Sequence, residues 1–499
     1  MNIKRAKQEI KNTIQAYLAK DEVGEYVIPR IRQRPILLMG PPGIGKTQIM
    51  EQIARECRIG LVAYTITHHT RQSAIGLPFI KEKEYDGQLF SVTEYTMSEI
   101  IASVYDKMKQ TRFKEGILFI DEINCVSETL APTMLQFLQG KTFGNQQVPK
   151  GWIIVAAGNP PEYNKSVREF DVVTLDRIKK IEVEENFDVW KEYAYRQGIH
   201  PAIISYLELC KDHFYKVETT VDGKLFATAR GWEDLSQLLQ VYEQIGLIVD
   251  REVVSQYIQH RLIAKHFANY LELYYKYRED YSIDDIVHGQ WNTAMIQKIK
   301  QAPFDEHLGL IGLLNGKLGE MFEACYVLDE YVTKLHHYLV YYRDHLGRKM
   351  LEDVRLLALK DMESARDKEL LTHREEKTFK QVIDTLEEFC KEIRGESPLG
   401  QEAFARVKEL FEVEDSVRTA KIEYTSRMLQ HVFHFMEDAF GESQEMVALV
   451  TELNANYYSV WFIDENGCDL YYRYNKGLLF GKRQEEILRE MTRLEAVFD

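Results

Sequence analysis

Apolar and polar positions change their spacing along this chain of 499 residues. Up to about residue 185, short apolar runs alternate with segments of helical spacing, which indicates strand–helix–strand crossovers and a mainly parallel sheet. An amphipathic helix is predicted at residues 3–20, where apolar residues recur every three or four positions. Predicted strands lie at 35–39, 61–67, 117–121, 153–157 and 178–183, with a helix at 48–56.

An insertion separates the second and third predicted strands. Apolar residues at 75–80 and 89–92 flank a polar segment at 81–88, which predicts a β-hairpin with that segment as its turn. Thr96 and Glu99 then match a capping box and predict a helix that ends near Met108. A surface loop without a role is the alternative interpretation.

Strand signals nearly vanish after residue 187, and only Pro303 and Pro398 follow Pro201, so long helices are expected. Two apolar stripes at helical spacing support this, namely Phe379, Ile383, Leu386, Cys390 and Leu429, Val432, Met436, Phe440. The aromatic-rich segment at 457–480 is either a hairpin or two helices that meet at residues 466–467. Two helices are preferred.

One loop carries the pattern G-x-x-x-x-G-K-[ST] between the first strand and the helix at 48–56, which is the context this motif needs. Its residues are Gly40, Pro41, Pro42, Gly43, Ile44, Gly45, Lys46 and Thr47. The glycines let backbone N–H groups close around phosphate oxygens, and the helix adds its N-terminal dipole. Lys46 is predicted to neutralise phosphate charge and Thr47 to bind Mg²⁺. ATP and Mg²⁺ are therefore the expected ligands.

Two acidic residues end the apolar strand at 117–121. Asp121 is predicted to hold Mg²⁺, and Glu122 to polarise the attacking water. Two carboxylates at the end of a buried strand cost stability unless they have partners, which favours a functional role. Asn159 follows the next strand, and its amide is predicted to contact the water or the γ-phosphate. An asparagine in a turn can also be purely structural.

In combination these residues resemble the AAA+ superfamily, and most closely its MoxR group. Residues 121–124 are similar to the acidic box of that group and Asn159 to its sensor residue, whereas Cys125 stands where the group usually has a basic residue. The predicted hairpin resembles the helix-2 insertion of the wider clade. The resemblance covers residues 1 to about 260. It implies an α/β P-loop NTPase fold, with a three-layer αβα core, a parallel five-stranded sheet and a helical lid.

The resemblance also assigns roles to arginines. Arg177 lies in a segment similar to the one that carries the arginine finger, and Arg168 is a second candidate. A surface salt bridge is the alternative role for Arg177. Arg230 is similar to the second sensor, which reaches the nucleotide from the lid. Because a finger from a neighbouring subunit can increase turnover by roughly 10³ to 10⁵, hydrolysis would then depend on a ring, expected to be a hexamer.

Three domains are expected from the length and the motifs. Residues 1–185 form the nucleotide-binding domain with its N-terminal helix and hairpin, 186–275 the helical lid, and 276–499 a mostly helical domain of unknown role.

Composition narrows the possible partners and compartments. The formal charge of −15 disfavours sequence-independent nucleic-acid binding. The six cysteines show no metal or disulfide spacing, no apolar run is long enough to span a bilayer, and a cytoplasmic location is expected. His431 and His434, with Glu437, have helical spacing but apolar neighbours, so packed or partly exposed histidines are preferred over a metal site.

The leading hypothesis is a MoxR-like ATPase that remodels or matures a partner protein. The resemblance implies a partner with a von Willebrand factor A domain. One alternative is a scaffold in which ATP orders the ring and hydrolysis only resets it. A DNA-remodelling motor is a further alternative, although the acidic charge disfavours it.

Overall fold

The structure, a computed structural model, describes residues 1–68, 72, 74, 76–143, 146–163, 167, 170–220, 223–346, 350–393 and 401–477. They divide into two compact units. Unit 1 comprises Met1–Val189 and Asp361–Glu376, and unit 2 comprises Trp190–Lys360 and the chain from Lys377 onward. The three-domain division stays a prediction.

Unit 1 alternates strands and helices through most of its length. Its elements are α1 (Ile3–Leu18), β1 (Ile36–Met39), α2 (Lys46–Cys57), β2 (Gly60–Thr65), β3 (Pro78–Tyr85), β4 (Gln88–Tyr95), α3 (Glu99–Thr111), β5 (Gly116–Asp121), α4 (Ala131–Gly140), β6 (Thr142–Phe143), β7 (Gln146–Gln147), β8 (Trp152–Gly158), α5 (Val172–Leu175) and β9 (Lys179–Glu182).

The central sheet has five parallel strands in the order β2-β5-β8-β1-β9. The predicted parallel five-stranded sheet is confirmed, and each predicted strand lies within two residues of an observed one. Strand β1 pairs with β8 on one side and with β9 on the other. The loop after β1 therefore lies at the carboxyl edge of the sheet, where parallel sheets bind ligands.

Alternate residues of the central strands pack on opposite faces of the sheet, which gives three layers. On one face, Leu118 and Ile120 of β5 contact a cluster that includes Val104 of α3 and Phe137 of α4. On the other face, Phe119 belongs to a cluster with side chains of α1 and α2. Burial on both faces explains why these strands are continuous apolar runs.

The insertion contains the predicted hairpin, but its turn is shorter than predicted. Strands β3 and β4 pair from Pro78↔Tyr95 to Tyr85↔Gln88, so the polar segment expected to be the turn is mostly strand. Asp86 and Gly87 both have positive φ, at 49° and 78°. These angles are typical of a two-residue hairpin turn, for which Asp-Gly is a strong signal. Ile75, where the prediction began, lies outside the described residues.

The helix after the hairpin begins two residues later than the capping-box prediction requires. Ser98, rather than Thr96, is the N-cap of α3, and the helix continues to Thr111 instead of Met108. The hydroxyl of Thr96 instead accepts a hydrogen bond of 2.9 Å from the backbone N–H of Leu77. It therefore closes the open end of the hairpin.

Unit 2 is mostly helical, as predicted. From the unit boundary onward the elements are α6 (Phe187–Arg196), α7 (Pro201–Leu209), β10 (Lys216–Thr220), β11 (Gly223–Ala227), α8 (Ala229–Ile245), α9 (Arg251–Tyr257), α10 (Arg261–Asp280), α11 (Ile283–Val287), α12 (Thr293–Gln301), α13 (Phe304–Asp344), α14 (Leu351–Asp367), α15 (His373–Glu392), α16 (Gln401–Phe440), α17 (Gln444–Ala455) and α18 (Tyr457–Asn466). The chain passes between the units within α6, α14 and α15.

Long helices α13 and α16 have 41 and 40 residues and pack together. In the segment at 457–480, α18 ends at Asn466 with Gly467 as its C-cap, and a second helical stretch follows, as the sequence analysis preferred. Residues 478–480 lie outside the described part. The hairpin of β10 and β11 was not predicted. Its strands mix polar and apolar residues without a buried face, so they lack the usual strand pattern.

Among the described helices, none combines the length and apolar composition needed to cross a bilayer.

Candidate active site

The loop between β1 and α2, where a phosphate-binding loop is predicted, depends on glycine at two positions. A side chain at Gly40 would place its Cβ atom 2.6 Å from the carbonyl oxygen of Val183, so only glycine fits beside β9. Gly45, the N-cap of α2, has φ of 88° in the left-handed region that favours glycine. Pro41 is buried, whereas Pro42, Gly43 and Ile44 are half-buried. The N–H groups at the start of α2 therefore face the loop.

Lys46 is buried within this loop, with 8% of its surface exposed. Its ammonium donates to the carbonyl oxygens of Gly40 and Pro41 at 2.8 and 2.7 Å and to Oδ1 of Asn159 at 2.9 Å. Strand pairing of β1 with β8 brings Asn159 to Lys46, although 113 residues separate them along the chain. The structure thus joins two of the predicted site residues directly.

A hydrogen bond also joins Thr47 to Asp121. The hydroxyl of Thr47 donates to Oδ2 of Asp121 at 2.9 Å, and Thr47 occupies the first turn of α2. Two neighbouring oxygens of this kind suit Mg²⁺, which prefers oxygen ligands and commonly keeps several waters alongside one or two protein groups. The donor set therefore fits the predicted metal.

Glu122 has an unusual backbone conformation. Its φ is 56°, in the left-handed region that costs a residue with a Cβ roughly 1–2 kcal/mol. Its N–H donates to Oδ1 of Asp121 at 2.9 Å, and its carbonyl accepts from the N–H of Cys125 at 2.8 Å. The N–H of Ile123 donates to Ala157 of β8. Such strain concentrates at functional sites, because surrounding bonds must maintain it.

Asn124 was not predicted as a functional residue, although it belongs to the acidic box. It is 2% exposed and brackets the backbone of Asn159: Nδ2 donates to the carbonyl oxygen at 2.8 Å, and Oδ1 accepts from the N–H at 3.3 Å. A Cβ atom at Gly158 would lie 2.6 Å from Oδ1 of Asn124. Sequence spacing gives no sign of this contact, which depends on the pairing of β5 with β8.

Arg177 lies elsewhere on unit 1. Its guanidinium is exposed and donates through Nη1 to Oε1 of Gln139 on α4 at 2.6 Å. Asp171 caps the preceding helix α5, and the hydroxyl and N–H of Thr174 hold the pKa of its carboxyl below the usual value. Val172 is 81% exposed on the same short helix. Arg168, the alternative finger, lies outside the described residues.

Arg230 belongs to unit 2. It is exposed in the first turn of α8, directly after the N-cap residue Thr228 and Ala229. Its predicted role as a second sensor stays a prediction. Nδ1 of His431 lies 3.0 Å from the carbonyl oxygen of Val287, and His434 contacts Glu437, but the described residues contain no group of three or more potential metal ligands.

Comparison with known proteins identifies the class of the domain that holds this site. Residues 36–176 match the family described as "ATPase family associated with various cellular activities (AAA)". The chain therefore contains an AAA ATPase family domain, which spans β1 to α5 and less than a third of the chain.

A similar solved structure is described as that of a "putative ATPase" from Cytophaga hutchinsonii. It is 18% identical, the alignment covers 36% of this chain and 51% of that one, and the TM-score is 0.20. The chain thus spans about half the length of that protein, and a score this low establishes no shared architecture. No curated protein matches the chain.

Proposed function

We propose that the chain is a MoxR-like AAA+ ATPase that hydrolyses ATP in a ring and uses the cycle to remodel a partner protein. The observation that carries the proposal is the bonded set at the carboxyl edge of the sheet, in which Lys46 meets Asn159 and Thr47 meets Asp121. The AAA family domain at residues 36–176 supports it.

The loop residues bind and orient the triphosphate. Lys46 exchanges its carbonyl acceptors for phosphate oxygens, and the N–H groups at the start of α2 bind the same charge. Thr47 and Asp121 hold Mg²⁺, which neutralises charge that develops on the phosphate oxygens when it is bound. Asn159 bonds to Lys46 and thereby links the tip of β8 to the phosphate loop.

Glu122 positions the attacking water. Its left-handed backbone turns the chain sharply after Asp121, so two successive carboxylates can serve different tasks. Asn124 acts as a positioning residue, because its two bonds fix the backbone that carries the amide of Asn159. General-base assistance by a carboxylate such as that of Glu122 contributes a factor of about 10² to 10⁴ in rate.

Arg177 completes the site of a neighbouring subunit. Its guanidinium is exposed on unit 1, and because its hydrogen-bond partner Gln139 is neutral, that bond leaves the guanidinium charge uncancelled. Val172 and Val173, exposed by 81% and 59%, lie five and four residues earlier and offer apolar contact area for a second copy. A hexamer is the proposed ring, and Arg230 is the proposed second sensor.

Mixed assemblies test the ring. Arg177→Ala and Glu122→Gln each remove one half of an intersubunit site, so each alone is expected to lower hydrolysis by more than about 100-fold. Mixed subunits should regain activity, because an intact Glu122 then meets an intact Arg177 across some interfaces. Mixed rings of confirmed stoichiometry that regain nothing would refute the trans assignment.

A trapped form tests the remodelling function. Glu122→Gln, with ATP and Mg²⁺, should retain the partner protein during purification, and a protein with a von Willebrand factor A domain is the expected class. Lys46→Ala is the matched control, because it should retain none. If Glu122→Gln supports the partner's maturation as well as the wild type does, hydrolysis only resets the ring and the scaffold function is correct instead.

A further inference from the structure

Unit 2 contains a cavity of about 260 Å³. Residues of α7 and α13 contribute much of the lining, together with residues of α6, α8, α17 and α18. Most of its walls are apolar, including Ile204, Ile311 and Ala448. Concave, mainly apolar cavities with a few polar groups are the usual form of small-molecule sites.

Backbone contact between α7 and α13 maintains the cavity. A Cβ atom at Gly312 would lie 2.7 Å from Cβ of Ser205, and one at Gly316 would lie 3.0 Å from Pro201. Each glycine inside a helix costs roughly 0.5–1 kcal/mol relative to alanine, so their close packing must compensate. Because the helices already touch here, they cannot move closer to fill the space beside them.

Asn315 supplies an unsatisfied polar group at this cavity. It is 5% exposed, and neither its amide nitrogen nor its amide oxygen has a hydrogen-bond partner within the described part of the chain. Burying such an amide costs roughly 1–3 kcal/mol, which a bonded ligand would recover. The amide can both donate and accept, so it selects a hydroxyl, carbonyl or amide group.

Two glutamates on α13 place negative charge at the cavity, closer to the C-terminal end of the helix than Asn315. Glu320 and Glu323 also line the cavity, are more exposed than Asn315, and form no ion pair with any described residue. By contrast, the carboxylates of Glu208 and Glu452 are bridged by Lys191 at 2.7 and 2.6 Å. Glu320 interacts with the charge of Lys317 one turn earlier, but because neither carboxylate is ion-paired with a described residue, the two together favour a cation at the more exposed end of the cavity.

We propose that this cavity binds a small amphipathic organic cation. Its ammonium or amidinium lies at Glu320 and Glu323, its apolar body against the apolar walls beside α7 and α13, and its hydrogen-bonding group at Asn315. Eight residues of helix separate Asn315 from Glu323, or about 12 Å. Since a 150 Å³ cavity holds benzene, this one holds about ten non-hydrogen atoms. The site is independent of the proposed ATPase activity.

Tyramine is a suitable probe, since it joins an ammonium and a phenol through an apolar body of about ten non-hydrogen atoms in all. Calorimetric titration of the full chain should detect binding in the millimolar range or below. The neutral analogue 4-ethylphenol should bind at least about tenfold more weakly, because it lacks the cation. Equal affinity for both compounds, or no binding of tyramine up to about 10 mM, would overturn the proposal.

Three variants locate the binding. Asn315→Leu and Ala448→Leu should each weaken tyramine binding at least about tenfold, by removing the amide and by filling the cavity. Glu323→Gln should weaken tyramine alone and leave 4-ethylphenol unchanged. Val447→Leu on the exposed face of α17 is the control and should bind normally. Unchanged affinity in folded Ala448→Leu, or a co-crystal structure with only water in the cavity, would contradict the assignment.

Discussion

Both units bury lysine side chains, and Lys46 and Lys191 bond to different kinds of acceptor. Lys46 in unit 1 is 8% exposed and donates to two backbone carbonyls and an amide. Lys191 in unit 2 is 4% exposed and donates to the carboxylates of Glu208 and Glu452. Neutral acceptors solvate an ammonium without cancelling its charge, whereas carboxylates cancel it. The first arrangement suits anion binding, and the second fixes α6 to α7 and α17.

Removing Lys191 should have the largest effect on stability. In Lys191→Met the half-buried carboxylates of Glu208 and Glu452 lose their shared cation, and we expect unit 2 to lose about 3 kcal/mol, the low end of the range for a buried pair. Hydrogen exchange followed by mass spectrometry can assign this loss to peptides of unit 2. Lys180→Met is the control, because it breaks an exposed pair with Glu182 and should cost less than about 1 kcal/mol. Equal losses of stability in the two variants would contradict the structural importance assigned to Lys191.

Removing Lys46 should weaken ATP binding and leave the stability of unit 2 unchanged. In Lys46→Met the phosphate loop loses its charge-assisted bonds, and we expect ATP to bind about 100-fold more weakly. Equilibrium binding of a fluorescent ATP analogue measures this change. Folded Lys191→Met protein should bind the analogue like the wild type. Unchanged affinity in Lys46→Met would refute the phosphate-loop assignment.

Asn124 tests whether the acceptors of Lys46 must be held in place. Asn124→Leu removes both bonds to the backbone of Asn159, so kcat is expected to fall about 30-fold while ATP affinity changes less than about threefold. Asn124→Asp keeps the acceptor oxygen and should be intermediate. If both variants lose stability but keep the kcat of the wild type, Asn124 is only structural.

The pH dependence of stability tests a third buried lysine, Lys141 of unit 1, which also bonds to a neutral acceptor. It is 7% exposed and donates to the carbonyl oxygen of Arg30 at 2.8 Å, and burial, with the nearby Arg30 charge, lowers its pKa to about 8. Between this value and the ordinary pKa near 10.5, the unfolded chain binds a proton that the folded chain releases. Stability therefore rises with pH.

We expect the wild type to gain about 1–2 kcal/mol relative to Lys141→Met between pH 7.5 and 9.5, measured by urea unfolding followed in unit 1. Parallel pH profiles for the two proteins would contradict the lowered pKa. Such a result would also weaken the argument that a neutral acceptor leaves the charge of a buried lysine uncompensated.

Much of the sheet could be predicted from the sequence, because β1, β5 and β8 are buried on both faces and their apolar runs are unbroken. The hairpin of β10 and β11 could not, since exposed strands need no apolar pattern. The turn was predicted too long because polar residues can pair across an exposed hairpin, as Lys83 does with Glu94.

The sequence indicates which residues form the candidate site but not how they contact one another. Motif spacing indicates Lys46 and Asp121, because Lys46 comes shortly after one buried strand and Asp121 ends another. The bonds from Asn124 to Asn159 depend on the pairing of two strands, which no local pattern encodes. The roles of Arg177 and Arg230 involve a second copy and the second unit, so they stay predictions.

Glu122→Gln tests the proposed catalytic site most directly. In single-turnover hydrolysis with Mg²⁺, we expect the variant to bind ATP within about threefold of the wild type but to hydrolyse it at least about 100-fold more slowly. Unchanged ATP binding with much slower hydrolysis is expected only if Glu122 acts on the attacking water and does not hold the nucleotide. Equal hydrolysis rates in the two proteins, or a wild type that binds no ATP, would contradict the proposed function.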